Sequence, residues 1–293
     1  MITNEALLAG LEKAFLSDRP HYKLGSRNYQ YYAHDLADIA PAFRCEELGA
    51  MLRRQFGKGK GSELKPKDNA PPKMHAVHSS SAQCVNAFAL PAFFLGRDSG
   101  FWSKFFGQDV WNGFDEWSFE AQYPISVFGK KGCSLKGTPP HLDFEIGNKT
   151  SGNIIAVESK LAEIYHDDHD HTIRSSYFSQ SILRAYPKLW NLALKIHTGD
   201  ELFCHLDAAQ LIKHSLGLLS TGKQFKLGYF YNVLASCEKH ELEVFRFKDL
   251  LADAGVDFFA TTYQDAFHRI EGYRCDLPFY ADWKAWFEKH YFL

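Results

Sequence analysis

The run Ile154-Ile155-Ala156-Val157-Glu158-Ser159-Lys160 constrains the fold more than any other part of the chain. Its β-branched opening predicts a buried strand, yet it closes on a carboxylate and an ammonium. Side chains alternate across a strand, so Glu158 and Lys160 leave from one face and Ser159 from the other. Burying either charge is costly unless it is paired or binds an ion. A sheet that takes in this strand has to supply that partner at its end.

The preceding apolar segment, HLDFEIG at 141–147, predicts a second strand, and the Gly/Asn/Lys/Ser-rich stretch GNKTSGN predicts the turn between them. Such a hairpin brings the Asp143 carboxylate beside that of Glu158. Two carboxylates a few ångströms apart repel unless a proton or a cation separates them, and hard oxygen ligands suit Mg²⁺ or Mn²⁺. A metal held there polarises a phosphoryl oxygen and lowers the pKa of a bound water, and a neighbouring lysine orients that water or stabilises charge.

The surrounding pattern supplies a sheet for these strands. HAVHSSSAQCVNAFALPAFF (75–94) predicts a Ser-capped helix and EWSFEAQYPISVFG (116–129) a strand. Helices follow at 174–197 and in DAAQLIKHSLGLLS, where apolar residues recur at 208, 211, 212, 215/216 and 219. GKQFKLGYFYNVLA (222–235) predicts a buried strand, FRFKDLLADAG a helix and VDFFATTY a last strand. The class is α/β: a mixed sheet flanked by helices. Before it, helices are predicted over 3–17 and about 46–56, so residues 1–74 form a helical N-terminal extension with a basic linker, and 75–293 the main domain.

Charge and cysteine usage exclude several classes. A net charge of −2 argues against a protein that coats nucleic acid through overall charge, but not against a local basic groove. The strongest basic stretch is Arg53–Lys73, with seven Lys/Arg against two acids. Its Gly and Pro residues fit either a solvated linker or a phosphate-contacting arm. The six cysteines are scattered without a CxxC pair, which points to reduced thiols in a cytoplasmic protein and away from a cysteine zinc site. No window approaches the roughly 18 apolar residues of a membrane span, and the first residues lack the apolar core of a signal peptide. The 25 Phe read as core.

An Asp in one strand, a short turn, then Glu-x-Lys at the end of the next apolar strand resembles the PD-(D/E)XK nuclease superfamily, whose members are restriction-endonuclease-like. The chain departs from the motif's spelling in PPHLD, where Pro140 stands three residues before Asp143. The resemblance implies a core in αβββαβ order, matched over about residues 75 to 265. It further implies metal-dependent phosphodiester hydrolysis, most naturally of DNA, with Asp143 and Glu158 holding Mg²⁺ or Mn²⁺ and Lys160 positioning the attacking water. The run HSSSAQCVNAF (78–88) is similar to the helix opening of a bacterial nuclease-like branch, which makes Ser80, Gln83 and Asn86 accessory candidates. In that branch an acid in the first strand corresponds to Glu120, an acid after Glu-x-Lys to Glu163, and a Gln-bearing helix to Gln210.

Each accessory residue also has a plain structural reading. Glu120 and Glu163 fit charges at strand edges and ends, Gln210 and Lys213 fit a solvated helix face, and the Ser/Gln/Asn group fits helix capping. The loop HDDHDH, His166–His171, carries metal-ligand types at high density. It reads as a solvated loop, with a zinc hydrolase as the rival reading. A rival from another class is a non-catalytic nucleic-acid-binding or assembly module that keeps the fold. Cutting both strands of a duplex asks for two sites, which a homodimer would supply.

Overall fold

The computed structural model describes residues 4–17, 19, 22–27, 30–58, 63–66, 70–111, 113–125, 139–165, 172–273 and 276–293. The N-terminal part comprises α1 (Asn4–Leu16), the hairpin strands β1 (Gly25–Arg27) and β2 (Gln30–Tyr32), the short α2 (Leu36–Ile39) and α3 (Glu46–Lys58). Then come α4 (Ser80–Leu95), α5 (Ser99–Phe106), β3 (Glu116–Gln122), β4 (His141–Gly147) and β5 (Ile154–Lys160). Three helices follow, α6 (Gln180–Ala185), α7 (Pro187–Thr198) and α8 (Ala208–Leu219), and lead to β6 (Phe225–Tyr231), α9 (Glu238–Asp253) and β7 (Phe258–Thr262). The chain ends on α10 (Tyr263–Arg269) and α11 (Phe279–Tyr291). No helix among the described residues is long and apolar enough to cross a membrane.

Strands β3 to β7 form one five-stranded sheet in sequence order; β3, β4 and β5 pair antiparallel, and β5, β6 and β7 parallel. This is the expected α/β class, a mixed sheet flanked by helices, with α4 leading into β3-β4-β5 and α9 joining β6 to β7. The turn at 147–153 is the expected hairpin: Asn148 N–H donates to Asn153 O at 3.0 Å, and Gly152 supplies the left-handed residue at φ 72°. β3 ends at Gln122: of the strand expected over 116–129, residues 123–125 have left the ladder and 126–129 lie outside the described set.

Two hydrophobic cores lie on either side of this sheet. On one side α4, apolar nearly all round and therefore central, packs Phe88 on Phe144 (4.5 Å between ring centroids) and on Phe230 (5.2 Å). Phe88, Phe101, Phe105 and Phe144 are fully buried, so the phenylalanine surplus is core. The N-terminal helices join this same core through Leu7, Leu11, Phe43, Leu52 and Phe56. On the other side α7, α8 and α9 bury Leu192, Ile212, Leu216, Phe247 and Leu251 against Ala156, Leu227 and Tyr229.

Four helices carry no sequence expectation: the short α2, and α5, α10 and α11, whose signals are aromatic residues, as in SGFWSKFF, which periodicity of aliphatic residues does not single out. Helix α9 begins at Glu238, seven residues before the expected FRFKDLLADAG, because its first two turns are mostly charged.

Candidate functional site

The site forms where the antiparallel ladders give out. Between β4 and β5 the last pair is Phe144 with Val157, so the next residues along, Asp143 and Glu158, face each other. Between β3 and β4 the pairs Phe119–Phe144 and Ala121–Leu142 flank Glu120, opposite Asp143. Glu120, Asp143 and Glu158 therefore occupy one row across three strands.

β3 and β4 both turn over at this row. Phe119 and Phe144 point into the core under α4, whereas Ala121 and Leu142, two residues on, point into the core under α8. Glu120 absorbs the reversal on β3 with φ 59°, the one positive φ at a non-glycine among the described residues. An L-residue in that region costs about 1–2 kcal/mol, a strain of the kind that gathers at functional sites.

Asp143 Oδ2 accepts the Ser159 backbone N–H at 2.7 Å. Burial, then the Glu158 charge, push the Asp143 carboxyl well above the usual carboxylate range; Lys160 and the Ser159 N–H oppose this. Glu158 is 2% exposed, and Lys160 Nζ donates to its Oε1 at 2.6 Å. Burial pushes the Glu158 carboxyl up, but Lys160 and His214 outweigh it and hold it at about 2. Burial lowers and Glu158 raises the Lys160 ammonium, with a net upward shift, so the lysine is charged. The pair is therefore ionised beside a carboxyl that resists ionising.

Helix α8 fixes both partners. The Asp207 cap accepts the Gln210 N–H at 2.8 Å and sets the first turn. Gln210 Oε1 then accepts from Lys160 Nζ at 2.9 Å. One turn later the buried His214 places Nε2 3.0 Å from Glu158 Oε2, at ion-pair distance but off the hydrogen-bond line, so both atoms lack an aligned partner. Gly217 lets the helix come this close: a Cβ there would lie 2.6 Å from Tyr123 O.

Asp143, Glu158, Lys160 and Gln210 are thus brought together. Glu120 sits in the same row and carries His141, whose Nδ1 is 2.5 Å from Glu120 Oε2. Glu163 turns back onto its own strand end, accepting the Leu161 N–H at 2.8 Å. On α4, Ser79 rather than Ser80 caps the helix, accepting the Ala82 N–H at 3.1 Å. Asn86 donates to Ile39 O (2.8 Å) and Tyr291 OH (2.9 Å), tying α4 to α2 and α11 away from the row. Gln83 is fully buried with neither amide atom paired. The His166–His171 loop lies outside the described residues. His214 and His141 were not among the expected residues. The legible signal for His214 was its i+4 spacing from Gln210 in AAQLIKH, which puts both on one helix face.

The profile of the family described as Restriction Endonuclease associating with ARP matches residues 11–292. The chain belongs to this family. Comparison with curated proteins and with solved structures gives no match. The match to the restriction endonuclease family runs from midway through α1 across the whole sheet, and it contains every residue of the Glu120–Asp143–Glu158 row.

Asp143 and Glu158 offer the hard oxygen donors that a divalent ion takes. Among the described residues, no group of three His, Cys, Asp or Glu side chains is assembled to hold a metal. Two features nonetheless fit one: the mutual repulsion of Asp143 and Glu158, and the buried Glu158 Oε2 without an aligned donor. A hard cation held by two carboxylates needs water or phosphate oxygens for its remaining positions, as Mg²⁺ commonly takes.

Proposed function

We propose that this restriction-endonuclease family member is a PD-(D/E)XK-type nuclease that hydrolyses phosphodiester bonds in DNA with Mg²⁺ or Mn²⁺. The observation that carries the reading is the Lys160–Glu158 ion pair at 2.6 Å, buried beside Asp143 at the end of the sheet ladder. A buried ion pair is weak as a stability device, and a second acidic group beside it makes it weaker still. The arrangement makes sense as a site.

Asp143 and Glu158 would hold the ion, which supplies phosphoryl polarisation and a water of lowered pKa. Lys160 has three N–H donors. Glu158 and Gln210 take two of them and fix the ammonium; the third would serve the attacking water or a non-bridging phosphate oxygen. Gln210 and His214 act through Lys160 and Glu158, as positioning residues.

The test is cleavage of duplex DNA with Mg²⁺ or Mn²⁺ by the wild type and by Asp143→Ala, alongside calorimetric titration of Mn²⁺. Metal-dependent cleavage lost in Asp143→Ala, together with weakened Mn²⁺ binding, supports the assignment; cleavage at wild-type rate by Asp143→Ala sinks it. A second reading, an assembly module, draws on the family's description as associating with ARP. It predicts no Mn²⁺ binding with or without DNA.

A further inference from the structure

We propose that α3 and the described residues 63–66 and 70–79 line a nucleic-acid groove beside Glu120, where Arg53, Arg54, Lys65 and Lys73 contact the substrate's phosphate backbone. The inference rests on the nuclease reading and gives that site its substrate-binding face.

Strand β3 is an edge of the sheet, and α3 covers it. Gln55 Oε1 accepts the Phe119 backbone N–H at 2.9 Å, and Phe56 stacks on Phe119 with centroids 5.7 Å apart. Those contacts fall one residue from Glu120. Arg53 and Arg54 are on the same turn of α3 and are exposed. Arg53 lies over the Phe43 ring at 5.2 Å, a contact that holds a guanidinium without neutralising it.

Beyond α3, Glu63 lies by the site, near enough to Glu120 for its charge to act on that carboxyl, and Lys73 Nζ stands 3.6 Å from Glu63 Oε1. The Met74 N–H donates to Glu63 O at 3.0 Å, closing the excursion, and the chain then enters α4 through Ser79. Lys65 and Lys73 are exposed along this path. Between α3 and α4 the described acid, Glu63, is 13% exposed and turned to Lys73, so the outward charges there are those of Lys65 and Lys73; α3 itself carries exposed Glu46 and Glu47 two turns before Arg53 and Arg54. A row of three acids repels a polyanion; cations beside it are what admit a phosphate backbone to it.

The experiment measures binding of fluorescent 30-base-pair duplex DNA by anisotropy in EDTA, across a salt series, using the full chain. Compared are the wild type, Arg53→Glu/Arg54→Glu, Arg53→Lys/Arg54→Lys, and Lys239→Glu/Lys248→Glu on α9, in the opposite helix layer. The expected result is a loss of roughly tenfold or more at about 0.1 M salt for the α3 reversal, with the slope of log K against log salt reduced by about 2. The lysine pair keeps most of the affinity, which loss of packing on Phe43 would not allow, and the α9 reversal binds like wild type. Unchanged affinity and slope in Arg53→Glu/Arg54→Glu, or an equal loss from the α9 pair, overturns the inference while wild-type cleavage leaves the nuclease reading standing. A wild type that neither binds nor cleaves DNA overturns both.

Discussion

The backbone N–H of Ser159 donates to Asp143 Oδ2 at 2.7 Å at the point where β4 and β5 cease to pair. A side-chain carboxylate thus replaces the strand carbonyl that the ladder would otherwise offer, and the fold satisfies the orphan donor. The same bond points Asp143 at Glu158, so the end of the ladder and the gathering of the acids are one event.

The two carboxylates have opposite linkage to pH. Asp143 has its folded pKa raised, so the native state binds more protons than the unfolded state above about pH 4, and stability falls as pH rises through that window. Glu158 is held at about 2, so its contribution is fully present above its ordinary value of 4.5 and is lost as pH falls toward 2. In EDTA at pH 7.5, urea denaturation is expected to show Asp143→Asn more stable than wild type, and Glu158→Gln less stable by a few kcal/mol, on the order of the shift at 1.36 kcal/mol per unit. Asp143→Asn less stable than wild type would contradict this electrostatic account.

Lys160→Ala should abolish cleavage and also cost stability. Removing the ammonium leaves Glu158, 2% exposed, without its closest counter-charge, and breaking a buried pair costs about 3–5 kcal/mol. Glu158→Gln/Lys160→Met should recover most of that loss without recovering activity. Chemical denaturation of the two single variants and the double reads the coupling; additive losses would show that the pair is not energetically linked.

Much of this was legible in the sequence, for reasons that can be located. Alternation in IIAVESK put Glu158 and Lys160 on one face, and the GNKTSGN turn set the hairpin register that brings Asp143 opposite Glu158. Gln210 could be placed near the site only through the family resemblance, since helix periodicity gives a face but not what it faces. His214 was hidden because a histidine among apolar residues looks like core until a partner strand supplies Glu158. The reversal of β3 at Glu120 was invisible, because Glu is not a residue that announces a positive φ.

That reversal gives a test free of charge effects. Glu120→Gly and Glu120→Ala both remove the carboxylate that meets His141 Nδ1, but glycine adopts φ 59° without a Cβ clash. Glu120→Gly should be the more stable of the two by about 1 kcal/mol in urea denaturation. Alanine equal to or better than glycine would mean that the backbone reversal stores no strain.

Gly217 governs how α8 presents its side chains. A Cβ at this position would meet the Tyr123 carbonyl oxygen at 2.6 Å, and because that obstacle is backbone, the helix has to move. Overpacking of this kind costs about 1–3 kcal/mol, which leaves Gly217→Ala folded. The displacement is passed to Gln210 and His214, whose contacts at 2.9 and 3.0 Å orient Lys160 and Glu158. Gly217→Ala should therefore lower kcat by about 10–100-fold, the range for disturbed supporting contacts, as should Gln210→Ala, with KM for DNA little changed in both. Unchanged kcat in Gly217→Ala, with the expected loss of stability, would show that the site tolerates movement of α8 and that Gln210 and His214 do not position it.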